Sequence, residues 1–101
     1  MTRVTFLIDR GEDSESYATR TFLPLLRALA DVRRLEAARV LAAATAQLAA
    51  RIIIDVYFDD DARMNESFAS AEGRRVSREI INAAGAGIEM ITADVLDVGT
   101  D

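Results

Sequence analysis

The sequence predicts an α+β fold of the ferredoxin-like kind, one antiparallel four-stranded sheet with two helices on a single face. Three observations carry this expectation. Strand-like and helix-like stretches follow one another in the order β, α, β, β, α, β. The helical stretches carry apolar stripes at helical spacing, whereas the strand-like ones are rich in β-branched and aromatic residues. Right-handed βαβ crossovers then place both helices on the same side of the sheet.

The first strand runs from Val4 to Asp9, with Val4, Phe6 and Ile8 on one face and Thr5, Leu7 and Asp9 on the other. Arg10-Gly11-Glu12-Asp13 is a polar turn. Asp13 or Ser14 caps the first helix, and Glu15 suits its positive dipole end. That helix reaches about Ala30 on a stripe of Ala18, Phe22, Leu25, Leu26 and Leu29. Pro24 lies within it and removes the hydrogen bond to the Arg20 carbonyl, which predicts a kink or a restart. Val32 to Leu41 forms the second strand, with Arg33, Arg34, Glu36 and Arg39 interleaved. Ala42 to Ala50 is an alanine-rich connection, too short for a stable helix of its own. Arg51 to Phe58 is the strongest strand of the chain. Asp59-Asp60-Asp61 caps the second helix, which carries Met64 and Phe68. Ser70, Glu72 and Gly73 mark a break and a new start, after which Val76, Ile80, Ile81 and Ala84 continue the stripe. Gly85-Ala86-Gly87 ends the helix, and Ile88 to Val98 forms the last strand.

The 101 residues make a single domain, 1–101. A domain of this size buries only roughly 60–65% of its unfolded surface and gains from a partner. Cysteine, histidine, tryptophan and lysine are absent, so all 12 basic residues are arginine. This excludes thiol chemistry, a Ser–His–Asp triad, a Schiff-base lysine, and histidine or cysteine ligation of zinc or haem. The expectation is accordingly no cofactor and no metal site. The lack of cysteine suits a reducing cytoplasm. The net charge of −5 disfavours nucleic acid and anionic membranes as partners. No apolar run reaches the ~20 residues of a membrane helix, and the charged start does not read as a signal peptide.

Two helices cover one face of a sheet, and the other face should then be polar. It is not. Ile53 and Tyr57 stand opposite the apolar face of Ile52, Ile54, Val56 and Phe58, interrupted by Asp55. In the last strand Ile88, Met90 and Leu96 share one face and Ile91, Ala93 and Val95 the other, and the first strand adds Leu7. A sheet apolar on both faces predicts a homodimer through the sheet face.

Val4-Thr5-Phe6-Leu7-Ile8, Tyr17 through Phe22-Leu23-Pro24-Leu25, Val32-Arg33-Arg34, Val56-Tyr57-Phe58-Asp59-Asp60 and Ser70-Ala71-Glu72-Gly73, in this order and spacing, resemble the EthD-like family. The resemblance runs from about Arg3 to Val98. It implies a dimeric α/β barrel, in which two ferredoxin-like sheets close face to face. It also implies a connection with the degradation of ethers and other organic compounds. Relatives of that fold include cofactor-free monooxygenases, haem-degrading enzymes and ligand binders. The family often carries a histidine two residues before the proline of its first helix, and this chain has Phe22 there. No acid/base or metal role of that histidine carries over, which favours binding over catalysis.

In this fold the usual pocket lies between the sheet and the first helix. Phe6, Tyr17, Phe22, Leu26, Phe58 and Phe68 are the candidates to line it, around a small apolar or aromatic molecule, with the Tyr17 hydroxyl as the polar handle. The same residues also read as a filled core. Asp55 is a costly residue for the middle of a strand. It is either an acid/base group, as Tyr17 is, or the partner of an arginine of a neighbouring strand, such as Arg39, or of the partner subunit. The catalytic alternative is therefore a cofactor-independent monooxygenase or isomerase using Asp55 or Tyr17. Asp59-Asp60-Asp61 lacks the spacing of a calcium loop and reads as a helix cap, and Asp9, Glu12 and Asp13 as a polar loop. Arg74, Arg75 and Arg78 read as a solvated helix face. Tyr57 alone is a poor platform for RNA bases. Gly85-Ala86-Gly87 follows a helix and precedes a strand, the reverse of a phosphate-cradling loop.

Overall fold

β-branched and aromatic residues at every second position build two central strands, each buried on one face and half-buried on the other. These are β1, Thr2–Ile8, and β3, Ile52–Phe58. The computed structural model describes residues 1–42, 50–83 and 87–96. Around the two strands it places α1 (Ser14–Tyr17), a π-helical turn (Ala18–Phe22), α2 (Leu23–Arg27), β2 (Arg34–Arg39), α3 (Asp61–Ala69), α4 (Ala71–Asn82) and β4 (Ile88–Asp94). Most of the alanine-rich connection, Ala84, the Gly85-Ala86 helix end and the final stretch towards Val98 lie outside the described residues.

The sheet order is β2-β3-β1-β4 with every neighbouring pair antiparallel, the ferredoxin-like arrangement. Val4, Phe6, Ile8, Ile54, Val56 and Phe58 are wholly buried on the inner face against Phe22, Leu26 and Val76 from the helices. Each such side chain contributes about 1.5–3 kcal/mol of transfer free energy. The Phe6 and Phe22 rings meet edge to face at 4.9 Å, and Phe58 meets Phe68 at 5.9 Å, within the favourable range for aromatic pairs. The shortest dimension of the molecule, 19 Å, is that of one sheet and one helical layer.

The first helix is restarted rather than simply kinked. Pro24 has no N–H to offer and its ring crowds the carbonyl one turn earlier. The preceding five residues open into the π-helical turn, and α2 begins with the proline in its first turn. The wider turn shifts the buried stripe, so Leu23 joins Ala18, Phe22, Leu26 and Leu29 in the core while Leu25 is only partly covered. Regular helix ends at Arg27, short of Ala30, and Asp31 turns the chain with φ 65°. Asp13 sits at the cap position of α1 without a side-chain bond. Ser14 instead accepts from the Arg10 N–H at 2.7 Å and donates to the Gly11 carbonyl at 2.8 Å, which closes the turn.

The second helical region breaks where Ser70 and Gly73 predict. Asp60 accepts from the Arg63 N–H at 2.8 Å to cap α3, and the Ser70 hydroxyl accepts from the Gly73 N–H at 3.1 Å to cap α4. The flanking aspartates serve other ends: Thr2 donates to Asp61 at 2.6 Å and Arg33 meets Asp59 at 3.1 Å. Gly73 sits so close to the end of α3 that a Cβ would lie 2.3 Å from both the Phe68 Cα and the Ser67 carbonyl oxygen. The sharp corner between the two helices therefore requires glycine there. Ile81 departs from expectation. It is 71% exposed, because five residues of helix past Val76 turn it away from the face that Val76 and Ile80 share.

Candidate functional site

Among the described residues, a cleft beside the first helix and the outer face of the sheet combine polar chemistry with unfilled space or uncovered apolar surface. The cleft arises because small residues face one another. β2 is an edge strand, and on its inner face Ala37 reaches out too little to meet Ser16, Ala18 and Thr19 of the helix opposite, while Ala38, whose side chain belongs to the outer face, borders the gap along the strand. The gap has a volume of about 660 Å³. Leu23 and Ile52 complete its apolar wall, and Glu15, Arg20 and Arg39 bring charge to it. Arg39 spans the cleft from the strand to α1, where its Nε donates to the Glu15 carboxylate at 2.7 Å and its Nη2 reaches the same oxygen. Both side chains are largely exposed, so the pair is worth about 0–1 kcal/mol. Beyond this bridge lies a second space of about 240 Å³, bordered by Gly11, Glu12, Ser14, Val40 and Arg51.

The six residues named from the sequence for a pocket are brought together. Phe6, Phe22, Leu26 and Phe58 are wholly buried in the core, with Tyr17 and Phe68 packed at its margin. None of the six borders the cleft, although Ala18 and Leu23, their neighbours along the chain, do. The cleft residues themselves went unnoticed in the sequence. The available signal was a pair of alanines, poor strand formers, in the middle of a strand.

Tyr17 is held from both sides. Its hydroxyl donates to the Glu79 carboxylate at 2.6 Å, its ring stacks on Phe22, and the Arg10 guanidinium sits 4.3 Å from the ring centroid. Burial pushes the phenol well above its ordinary 10.0, and the hydrogen bond and negative charge of Glu79 push the same way against Arg10. Tyr17 is thus a hydrogen-bond donor at neutral pH. The folded chain keeps this proton longer than the unfolded chain does. The associated stability is fully present below pH 10.0 and falls as pH rises through the raised folded value. Tyr17→Phe is expected to cost about 0.5–1.5 kcal/mol at neutral pH. It should also flatten the alkaline loss of stability, measured as urea midpoints across that range. An unchanged alkaline slope would contradict the assignment.

The outer face of the sheet reads, strand by strand, as three rows. Arg34, Tyr57, Arg3 and Ala93 form one, Glu36, Asp55, Thr5 and Ile91 the next, and Ala38, Ile53, Leu7 and Glu89 the third. Asp55 accepts from the Thr5 hydroxyl at 2.5 Å and lies 3.8 Å from the Arg3 Nε, a nitrogen that is buried without a hydrogen-bond partner. The expected partner Arg39 is a correction. It pairs across from Ile52 on the inner face and binds Glu15, so it cannot reach Asp55. Tyr57 has the Arg34 guanidinium 6.0 Å from its ring centroid. Arg74, Arg75 and Arg78 are solvent-exposed. No helix among the described residues is long and apolar enough to cross a membrane.

Comparison with known proteins places this geometry. An ethyl tert-butyl ether D (EthD) family protein from Bacillus halodurans superposes with a TM-score of 0.80 at 17% identity, covering 95% of this chain and 99% of that one. The chain has the fold of the EthD family. A dimeric ferredoxin-like protein of unknown function from Jannaschia superposes at a TM-score of 0.69 and 12% identity, with 93% of this chain and 98% of that one covered. In sequence, an uncharacterized 11.0 kDa protein in the thcB–thcC intergenic region of Rhodococcus erythropolis is 26% identical over 98 residues, 93% of this chain and 94% of its own. No family model matches the chain.

Proposed function

We propose that this EthD-like chain works as a homodimer that binds a small apolar or aromatic molecule, as an accessory to the degradation of organic compounds and without a redox cofactor of its own. The cleft of about 660 Å³ between the first helix and β2 carries this reading. Its volume falls within the range of small-molecule sites, and its walls combine the alkyl groups of Ala18, Leu23, Ala37 and Ile52 with the polar or charged Glu15, Ser16, Thr19, Arg20 and Arg39. The core of Phe6, Phe22, Leu26 and Phe58 lies beside it and packs the helix against the sheet. Dimerisation is supported by Leu7, Ile53 and Tyr57, half-buried on a face that no described helix covers, and by the dimeric Jannaschia protein of the same fold. Catalysis by Asp55 or Tyr17 finds less support. The Tyr17 phenol is engaged by Glu79, and Asp55 points to the face of the sheet away from the helices.

Titration with 2-naphthol, followed by amide chemical shifts, tests the binding reading. Saturable shifts confined to Ala18, Thr19, Ala37 and Ala38 are expected. Shifts at Ile53 and Tyr57 instead, or no saturation, would overturn it.

A further inference from the structure

Resting on that reading of the cleft, we infer that its preferred ligand is an organic anion, a carboxylate or an enolate on an apolar body, recognised by Arg20 with Arg39 in reserve. The chain as a whole carries −5, yet the charged residues bordering the cleft are one glutamate and two arginines, a local excess of one positive charge. Their pairing is unequal. Arg39 is neutralised by Glu15, whereas Arg20 makes no ion pair or hydrogen bond among the described residues. The neighbouring smaller space, with Glu12 and Glu15 against Arg39 and Arg51, is balanced and lacks this excess.

Location gives the unpaired charge its use. Arg20 sits in the π-helical turn, on the helical wall, with Ala18 and Leu23 beside it and Ala37 and Ile52 across the gap. A ligand with an apolar body can lie against these alkyl groups while its anionic end meets the Arg20 guanidinium. Guanidinium and carboxylate match as a bidentate pair, which is stronger than a neutral hydrogen bond. The Glu15–Arg39 bridge adds a second level. A carboxylate entering the cleft competes with Glu15 for Arg39, and the exposed bridge is weak enough to be exchanged.

Calorimetry with 2-naphthoate and 2-naphthol, which share one ring system, tests this at neutral pH. Naphthoate is expected to bind about tenfold more tightly, with the margin shrinking as salt rises. Arg20→Gln should collapse the ratio towards one, and Glu15→Gln, which frees Arg39, should raise it about threefold. Arg27→Gln, on an exposed residue outside the cleft, should leave the ratio as it is. If naphthol binds as well as naphthoate, or if Arg20→Gln weakens both alike, the anion preference is wrong and the binding reading stands. If neither probe binds, both fall.

Discussion

Phe22→Ala is expected to lower the stability of this protein by about 3–5 kcal/mol, a large share of the ~5–15 kcal/mol that a domain possesses. Phe22 is wholly buried, meets Phe6 edge to face and stacks on Tyr17 at 6.2 Å, so its removal opens a cavity beneath the π-helical turn. The turn cannot settle into that cavity easily, because Pro24 fixes the start of α2 just beyond it. In a thermal melt the midpoint should fall by roughly 15–30 °C for a domain of about this size. Phe22→Leu, which retains most of the volume, should recover more than half of the loss. A midpoint within a few degrees of the wild type for the alanine variant would show that the core beneath the helix is not closely packed. Phe22 stands where the EthD-like family often carries histidine. Here the position supplies packing.

Ile53→Asp is expected to turn a dimer into a monomer. Ile53 is half-buried on β3, in the outer row with Leu7, and does not contribute to the inner core. A carboxylate at the centre of a desolvated interface has no partner to compensate it. The dissociation constant should rise about thirtyfold or more, equivalent to the ~2 kcal/mol of a central interface residue. Light scattering on a sizing column reads the result directly, with a mass of 11.0 kDa for the variant and twice that for the parent. The circular dichroism of the variant should stay that of the folded parent. A parent already at the mass of one chain would remove the dimer from the proposed function, and a variant that remains dimeric would place the interface elsewhere.

Much of the architecture was legible because it depends on neighbours along the chain. Alternation in β1 and β3 announced both faces of the sheet, and the register pairs Val4 with Val56 and Phe6 with Ile54 on the inner one. Caps at Asp60 and Ser70 are contacts across three residues, and both form. Pro24 marked the place of the restart, although not its form. The site was harder to read because it depends on residues far apart in the chain. Arginine suits Asp55 chemically, but the register puts Arg39 on the opposite face, and Thr5 and Arg3 occupy that place instead. The aromatic residues were identified as a group, but whether a group of aromatics encloses a space or fills one is a matter of packing.

What the sequence determined alone is therefore local and periodic: which stretches are strand or helix, where the helices start, which strand residues face the core, and which reactions lack the side chains to occur. Only the tertiary structure decided which residues leave a gap and which charge stands unpaired beside it. Periodicity assigns a residue to a face at short range, whereas a cleft is the mismatch between two faces brought together from 24 residues apart, as Glu15 and Arg39 are. The volume left between small side chains depends on the spacing of helix and strand, which the bulky residues of the core set from behind.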